Sequence, residues 1–419
     1  MRDVTESDVP ETLVLSWDFP PIDSSVARRS MALANAIVQD GGAVTVLTVD
    51  SAAARHDHGV DPALESVVDP RVRVVRIEDH HPDRRQDIAT WPRERAQDPA
   101  GWRERWAADA ASMFDEPDFG HLHDLLVEQA GAIRAQRPVA TVVAVAAPLV
   151  MAAVAGRVAE SAGCELVLDF ARIDEHRLVA GAQLVSSAVA RARVVWCPDE
   201  TTRERLESSF GGLEGRIDVV SDGGEVEVRA LPRPRREPGD PVRVACHVEH
   251  EAWESVPELI EAWFEARGVH EFAGATLRLL GRLPLKGGTV PRMAVDQAAD
   301  RGVTLQAPPS SAERDLAGGE VDVLLVLSRG DLPAGRTSDH LRTGLPVVWW
   351  TPVPPGPDHP YERAAHVHRL TTLTGSALSA ALLAAASAPP QDVAVPAPVS
   401  SWPAAIERAG LGRSGKERA

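Results

Sequence analysis

The sequence has few cysteines and no long hydrophobic run, and each of these features argues against particular classes of protein. Its only cysteines are Cys164, Cys197 and Cys246, which lie far apart without a CxxC pair. They argue against a disulfide framework or a cysteine zinc site and fit buried positions in a reducing compartment. The most apolar stretch, residues 139–154, is shorter than a membrane span and contains a proline. Because residues 1–10 are acidic and polar, we expect no signal peptide. These features predict a cytoplasmic protein without an integral membrane segment.

Positive charge is also scarce. Acidic residues number 61 against 44 lysines and arginines, which gives a formal net charge of −17. Such a chain does not fit a nucleic-acid surface or a basic patch for anionic lipid. Lys286 and Lys416 are the only lysines, and this preference for arginine indicates a bacterial source with a GC-rich genome. A length of 419 residues with 44% hydrophobic residues predicts two globular domains.

One segment in the second half of the chain combines a buried strand with an acidic loop. Residues 321–327 read as a strand, and 323–327 within it form a continuous apolar run, as in a parallel strand covered on both faces. A polar loop, 328–336, and a short helix, 337–343, follow it. The loop contains Asp331, and the first turn of the helix contains Asp339. Carboxylates accept hydrogen bonds from sugar hydroxyls, and a helix N-terminus attracts phosphate, so the pattern suits a nucleotide-sugar. The alternative is an ordinary strand, loop and helix with a solvated acidic loop.

This segment resembles the donor-site motif of retaining glycosyltransferases with the GT-B fold, of the family 4 type. The matching positions are Ser328, Asp331, Asp339, Gly344, Pro346 and Val347. Both acidic positions are aspartate where the family has glutamate. The resemblance implies that Asp331 contacts the donor sugar and takes part in catalysis, and that Asp339 binds the ribose. It implies a phosphate site at Gly335, Arg336 and Ser338.

The beginning of the chain reads as a β-α-β unit. Apolar strands at 12–16 and 43–49 enclose an amphipathic helix at about 24–40. This part resembles the opening of the same family. The matching positions are Phe19, Pro20, Pro21, Gly42, Val44, Thr45, Val46, Leu47 and Thr48. Ser24 and Ser25 replace a Gly-Gly turn that approaches the donor phosphates in the family. They are therefore donor-site residues by resemblance, or else helix N-caps.

A later strand, 165–170, leads into a polar turn. Related enzymes have the acceptor face at this point, so the resemblance makes Asp169 and Asp174 catalytic candidates and Arg172 an acceptor contact. The family often has a functional histidine at the end of the preceding strand, where this chain has Val-Ala-Ala-Pro at 145–148. No conventional acid and base pair is visible in the sequence. In retaining enzymes of this kind, the leaving diphosphate can help to deprotonate the acceptor.

Residues 80–120 interrupt the alternation of strands and helices with a segment rich in charge and tryptophan. Trp102 and Trp106 are four positions apart and share one face of a helix. By resemblance this insert shapes the acceptor site, where aromatic faces stack on sugars. The alternative is a surface helix that packs its tryptophans onto the domain. We expect His121 and His123, which follow the insert, to be solvated or to cap a helix.

The proline-rich and charged stretch 231–240 reads as a linker, and a new strand begins at about residue 242. The strongest departure from the family follows. Glu249 and Glu254 occupy the positions of an arginine and a lysine that neutralise the donor diphosphate. Two glutamates there repel a dianion, so other cations have to replace them. The cations considered as replacements are Arg282, Lys286, Arg329 and Arg336.

These observations predict an α/β protein of GT-B architecture, with two Rossmann-like domains and an interdomain cleft. Residues 1–235 form an acceptor domain with the insert, 236–390 form the donor domain, and 391–419 contain a proline-rich run, a helix that crosses back and a disordered tail. The implied function is transfer of a sugar from a nucleotide-diphosphate sugar to an unidentified acceptor. The resemblance implies a retaining reaction without metal and with no cofactor besides the co-substrate. The alternatives are a catalytically degenerate binding protein, favoured by Glu249 and Glu254, and a GT-B epimerase or phosphorylase.

Overall fold

The computed structural model has two compact units, one with residues 1–222 and 400–419 and the other with 223–399, apart from 56–58. It describes residues 11–22, 24–50, 60, 62–79, 88–116, 119–171, 175–220, 240–248, 250–280, 289–306, 321–328, 340–352, 361, 364, 366–388 and 401–411. The predicted linker and the predicted boundary at 235 lie almost wholly outside these residues.

The first unit contains a seven-stranded parallel sheet. Its strands are β1 (Glu11–Ser16), β2 (Ala43–Val49), β3 (Arg73–Ile77), β4 (Val139–Val145), β5 (Glu165–Asp169), β6 (Val194–Cys197) and β7 (Ile217–Val219). They lie in the order β3-β2-β1-β4-β5-β6-β7. β1 is buried along its whole length, because it pairs with β2 and β4 and helices cover both faces of the sheet. The strands predicted from the apolar runs are confirmed here.

Helices cover the first sheet on both faces. The described helices of this unit that precede the second unit in the chain are α1 (Ser25–Gln39), α2 (Arg93–Gln97), α3 (Pro99–Met113), α4 (His123–Gln136), α5 (Val150–Ala162), α6 (Glu175–Arg191) and α7 (Glu200–Ser209). α1 buries its apolar face, including Leu33 and Ile37, on one side of the sheet. α5 packs on the other side, with Val150 and Val154 in a second cluster. The sequence analysis did not predict α6.

The second unit contains a six-stranded parallel sheet and its helices. Its elements are β8 (Arg243–Val248), α8 (Val256–Ala266), β9 (Thr276–Leu280), α9 (Thr289–Ala298), β10 (Val303–Gln306), β11 (Val323–Leu327), β12 (Val347–Trp350), β13 (Val367–Leu370) and α10 (Gly375–Ser387). The strand order is β10-β9-β8-β11-β12-β13. β11 lies between β8 and β12 and is completely buried, as its apolar run predicts. The sequence analysis missed β13, whose residues Val-His-Arg-Leu do not form an apolar run. The sequence of residues 311–317 predicts a further helix, but these residues lie outside the described part of the chain.

The last helix, α11 (Trp402–Ala409), belongs to the first unit although it comes after the second in the chain. It packs against α1, and its Trp402 ring lies edge-on to Trp196 of β6, with 5.4 Å between centroids. Ile406 is fully buried in the same cluster. β1 and α11, which lie far apart in the chain, therefore both contribute to the core of the first unit.

Both sheets follow the doubly wound order 3-2-1-4-5-6, with one further strand in the first. The strand order reverses between β1 and β4 in the first sheet and between β8 and β11 in the second. In open parallel sheets, ligands bind outside the carboxyl ends of the strands at this reversal. The topology therefore predicts a ligand site at the carboxyl ends of β1 and β4 in the first sheet or of β8 and β11 in the second. No helix among the described residues is long and apolar enough to span a membrane.

The three cysteines are free thiols in the interior or partly buried. Burial, helped by the charges of Asp199 and Asp169, raises the pKa of the Cys197 thiol to about 12. Burial also raises the pKa of Cys246, which is in the middle of β8, and that of the half-buried Cys164. Since the thiolate is the reactive form, all three are expected to be poor nucleophiles at neutral pH.

We therefore predict that an aromatic disulfide reagent at pH 8 labels no thiol rapidly in the native protein and all three after denaturation. Any slow native labelling is expected at Cys164, and Cys164→Ala provides the control that removes it. Rapid labelling of two thiols in the native protein would contradict the burial of Cys197 and Cys246.

Candidate functional site

The predicted donor loop lies outside the described residues. This applies to Asp331, Gly335, Arg336, Ser338 and Asp339, and to the cations Arg282, Lys286 and Arg329. It applies also to Glu249, Arg172 and Asp174. Their roles stay predictions. The structure describes the two residues that adjoin the loop in sequence, Ser328 before it and His340 after it.

Ser328 follows β11 and is buried. Its hydroxyl oxygen accepts a hydrogen bond from the indole Nε1 of Trp349 in β12, at 2.9 Å. Trp349 in turn contacts the ring of Tyr361 edge-on, with 4.9 Å between centroids. The start of the loop is therefore held to the neighbouring strand by a buried polar contact.

His340 is buried in a chain of hydrogen bonds at the same edge. Its Nε2 lies 2.8 Å from Nδ1 of His247 in β8, and its Nδ1 lies 2.6 Å from the hydroxyl of Tyr361. One nitrogen of the facing pair must donate and the other must accept, so at least one of the two imidazoles is neutral. These hydrogen bonds hold His340, which follows Asp339 in the sequence, to the carboxyl end of β8.

Sequence reasoning missed this network. The available signal was His247, a polar residue within the otherwise apolar run Val-Ala-Cys-His-Val of β8. The partner His340 is 93 positions away in the chain. Only the pairing of β8 with β11, which precedes the loop and His340, brings them together. The network holds Ser328 and His340, the two described residues on either side of the segment in which the sequence predicts the donor site.

Glu254 lies in a short 3₁₀ turn just before α8. Its side chain is exposed. The resemblance aligns this residue with a lysine that contacts the donor phosphates. Glu254 is negatively charged and exposed at the start of the helix that follows β8. The positive charge that the family has at this position is therefore missing here.

In the first unit, Asp169 ends β5 and is completely buried. Both of its carboxylate oxygens accept hydrogen bonds from Arg29 of α1, at 2.8 and 2.7 Å. Arg29 also donates to the carbonyl of Val220 after β7, at 2.9 Å. Burial raises the pKa of Asp169, while the guanidinium opposes the rise.

This geometry does not suit a carboxylate that touches a substrate. Asp169 instead joins β5 to α1, and Arg29 joins both to the strand end at Val220. The catalytic role implied by the resemblance stays a prediction. The sequence did not reveal the pair because Arg29 and Asp169 are 140 positions apart.

Ser24 is the N-cap of α1, as one of the two interpretations expected. Its hydroxyl accepts a hydrogen bond from the backbone N–H of Ala27 at 3.0 Å and donates to Asp18 at 2.7 Å. Ser25 is the first residue of the helix and is half-buried. The donor-phosphate role of both serines stays a prediction, and the cap role of Ser24 is confirmed.

The insert forms α2 and α3, and both predicted tryptophans are half-buried on α3. Arg95 of α2 lies over the Trp102 ring, 5.3 Å from its centroid. The Trp106 ring lies 5.1 Å from that of His121. These contacts match the interpretation of a surface helix that packs its tryptophans onto the domain. The acceptor role of Trp102 and Trp106 stays a prediction.

His121 and His123 were expected to be solvated or to cap a helix. Neither is solvated, and His123 is the C-cap of the short 3₁₀ turn at 120–122. His121 Nε2 lies 2.7 Å from the carboxylate of Asp79, and its side chain is only 7% exposed. Asp79 follows β3, so the pair joins the insert to the carboxyl end of that strand. His123 is buried and stacks on Phe114 with 5.6 Å between centroids. The local sequence is polar and suggested solvent, whereas the partners come from distant residues.

Glu116, near the end of the insert, is a further residue that sequence reasoning missed. Its two carboxylate oxygens accept hydrogen bonds from the backbone N–H groups of Leu149 and Val150, at 3.0 and 2.7 Å. These N–H groups form the N-terminus of α5, which follows β4. The insert therefore contacts the N-terminus of the helix that follows β4, one of the two central strands at the reversal.

Solved structures show the same architecture. Sucrose-phosphate synthase from Thermosynechococcus elongatus matches with a TM-score of 0.59 at 14% identity, over 98% of this chain and 94% of that chain. HepE from Anabaena, in complex with UDP and glucose, gives 0.57 at 12% identity over 90% of both chains. UDP-GlcNAc 2-epimerase from Methanocaldococcus jannaschii, in complex with UDP-GlcNAc and UDP, gives 0.57 at 10% identity over 96% of this chain and all of that chain (100%).

No protein-family model and no curated protein sequence matches the chain. At 10–14% identity, the structural likeness shows the fold. The protein has the GT-B fold, with two parallel-sheet α/β domains of seven and six strands. The predicted fold class is confirmed. Membership of family 4 and a retaining reaction stay predictions.

Proposed function

We propose that the protein is a glycosyltransferase that moves a sugar from a nucleotide-diphosphate sugar to a hydroxyl acceptor, with retention and without a metal. The observation that carries the proposal is the pair of doubly wound sheets shared with nucleotide-sugar proteins such as HepE, whose structure contains UDP and glucose. The acidic loop after β11 adds to it, because it follows the strand reversal of the second sheet. In this proposal Asp331 contacts the donor sugar and Asp339 the ribose.

Binding of UDP tests the donor assignment. A ligand that binds only the folded state stabilises it by mass action, by about 2.7 kcal/mol at a concentration of 100 times the dissociation constant. We expect UDP to raise the melting temperature of the wild type. We expect Asp339→Ala to reduce this shift more than Asp331→Ala, because only Asp339 is assigned to the nucleotide.

Asp300→Ala is the matched control for this measurement. Asp300 is an exposed aspartate of the same domain, and it lies before β10, at the opposite end of the strands. It removes the same charge without touching the predicted site. Full UDP shifts in both Asp331→Ala and Asp339→Ala would show that these roles are wrong.

Two other functions, a UDP-sugar epimerase and a binding protein without catalysis, can be tested with the same purified protein. The epimerase matches favour an enzyme that rearranges a UDP-sugar without an acceptor. Incubation with UDP-GlcNAc alone and analysis of the sugar product by NMR distinguishes epimerisation from transfer, which consumes donor only with an acceptor.

The exposed Glu254, with Glu249, favours a degenerate binding protein. If the wild type binds no UDP in calorimetry while the double variant Glu249→Arg and Glu254→Lys does, the degenerate function is supported. If neither binds UDP, the donor-site assignment fails.

A further inference from the structure

Three polar side chains form a buried hydrogen-bonded chain in the second unit, which we call the histidine latch. Its members are His247 of β8, His340 and Tyr361. All three residues are almost fully buried, with exposures of 8%, 1% and 2%. Two nitrogens of the histidine pair lie 2.8 Å apart, and the rings cross at 86°. The latch therefore places two titratable imidazoles in direct contact inside the protein.

The latch lies on an apolar face of the second sheet. His247 is on the same face of β8 as Ala245, because side chains alternate along a strand. Ala245 belongs to a buried apolar cluster that also contains Leu280, Val326 and Tyr361. Leu280 of β9 and Val326 of β11 are the neighbours of His247 in the sheet. A positive charge on the latch therefore loses most of its hydration, which favours neutral imidazoles.

Arginines are the main charged groups on the described elements around the latch. Arg278 of β9 is half-buried and pairs in register with Ala245, so it lies on the same face as His247. β10, β11 and β12 contain no titratable residue, and Cys246 and His368 lie on the opposite face of the sheet. The other charged groups of the described neighbouring segments are Arg342 after His340, the exposed Arg369 of β13, the exposed Glu254 after β8, and the ion pair Arg243–Asp322 at the amino ends of β8 and β11. Nearby arginines disfavour a further positive charge on the latch.

The geometry of the histidine pair limits the number of protons that the folded latch can bind. Two neutral imidazoles form the 2.8 Å contact when one nitrogen donates and the other accepts. One added proton is compatible with this contact, because an imidazolium can donate to a neutral imidazole. A second added proton places N–H groups on both facing nitrogens, and the hydrogen bond is then lost. The folded latch therefore holds at most one added proton.

Opening of the latch removes this limit. In solvent, both imidazoles have pKa values of about 6.5, and both bind a proton below about pH 6. The open state then binds at least one proton more than the closed state. This difference multiplies the open population about tenfold for each unit by which the pH falls. The contact is consequently stable at neutral pH and is lost on the acid side.

We propose that the histidine latch is a pH-sensitive switch that holds residues 340–343 on β8 at neutral pH and releases them on acidification. Release uncovers part of the apolar cluster, because Leu341 of this segment belongs to it. His366, before β13, acts in the same direction. Burial, helped by the charge of His368, lowers the pKa of His366, so its contribution to stability is present at neutral pH and is lost as the pH falls. The proposal does not rest on the proposed function, because it involves no ligand.

Nitrogen NMR of the full chain, labelled with ¹⁵N-histidine, tests the proton limit in the wild type. The scalar coupling across the N–H···N hydrogen bond identifies the two imidazoles of the latch. Between about pH 7.5 and about pH 5, we expect at most one of them to become an imidazolium while the protein stays folded. Conversion of both imidazoles in the folded protein would overturn the proposal.

His340→Gln tests the pH dependence of stability, because glutamine keeps a hydrogen-bond donor and an acceptor but binds no proton. Urea unfolding of the second unit is followed by pulsed amide exchange in peptides that contain β8 and β11. Below about pH 6, the unfolding equilibrium constant of the wild type is expected to rise about tenfold more per unit of falling pH than that of His340→Gln.

His270→Gln is the matched control, since His270 is an exposed histidine of the same unit. Its pH dependence is expected to equal that of the wild type. If His340→Gln does not fold, His247→Gln replaces it with the same expected result. Equal pH dependence in the wild type and in the latch variant would overturn the proposal. So would an equal change in His270→Gln, because the effect would then reflect the number of histidines and not their contact.

Discussion

Replacement of Arg29 by methionine is expected to destabilise the first domain by about 3–5 kcal/mol, the usual result of breaking a buried ion pair. The variant leaves Asp169 without its bidentate partner in a position that is 0% exposed. It also removes the N–H donor to the Val220 carbonyl. The measurement is the free energy of unfolding of wild type and variant in guanidinium chloride, followed by tryptophan fluorescence, for which Trp196 and Trp402 are buried reporters.

Arg292→Met is the control for that prediction. Arg292 forms an exposed i,i+4 pair with Asp296 in α9, with both side chains 61% exposed. Such pairs contribute well under 1 kcal/mol, so the control is expected to unfold like the wild type. A loss below 1 kcal/mol in Arg29→Met would contradict the buried pair.

The double variant Arg29→Met and Asp169→Leu separates the unpaired charge from the pair itself. Apolar residues of similar volume often replace a buried ion pair at little cost. We expect the double variant to regain most of the stability lost in Arg29→Met. If the double variant is instead less stable than Arg29→Met, the attraction between the two charges exceeds the desolvation free energy of burying them, and the ion pair stabilises the fold.

The second large effect is expected for Trp402→Ala. Trp402 is 1% exposed and packs α11 against α1 and Trp196. Removal of a buried tryptophan costs about 3–5 kcal/mol, because apolar contacts are lost and a cavity remains. We expect the free energy of unfolding to fall by about 3–5 kcal/mol. Proteolysis at α11 is expected to become faster, because the helix loses its largest buried side chain.

Trp102→Ala is the matched control, since Trp102 is only half-buried on the insert helix α3. Its replacement is expected to destabilise the protein clearly less than Trp402→Ala. Equal stabilities of the wild type and Trp402→Ala would show that α11 does not contribute to the core of the first domain.

Trp402 and Arg29 also contact each other. The guanidinium carbon lies 4.8 Å from the centroid of the Trp402 ring. Neighbouring residues in one network have coupling energies of about 0.5–3 kcal/mol, so the two losses are not expected to add. Comparison of the Arg29→Met and Trp402→Ala double variant with the two single variants measures this coupling directly.

The site is where prediction from sequence was least complete. Helix caps can be read from local sequence. Asp199 is a typical N-cap residue before the helix at 200–209, and its carboxylate accepts a hydrogen bond from the N–H of Thr202 at 2.7 Å. Ser24 was given the cap as one of two interpretations. A cap is a local contact, three residues along the chain, so the sequence contains both partners. By contrast, His121 was expected to be solvated or to cap a helix, and its contact with Asp79 could not be predicted because that residue lies 42 positions earlier.

The sequence alone determined the order of most strands and helices, with α6 and β13 as the exceptions. Apolar runs such as Val-Leu-Leu-Val-Leu in β11 require a strand buried on both faces, and the alternation with amphipathic helices such as α1 requires parallel sheets. This order was sufficient for two doubly wound domains and for the resemblance to GT-B proteins. It did not require knowledge of any contact between distant residues.

Only the tertiary structure decided what each buried polar group touches. Arg29 with Asp169, His247 with His340, and Glu116 with the start of α5 are pairs that no local pattern connects. Each depends on which strands are neighbours, and a buried polar group has to find its partner there or lose the free energy of its hydration. The strand order therefore made Asp169 the buried partner of an arginine and brought Glu116 to the reversal of the first sheet.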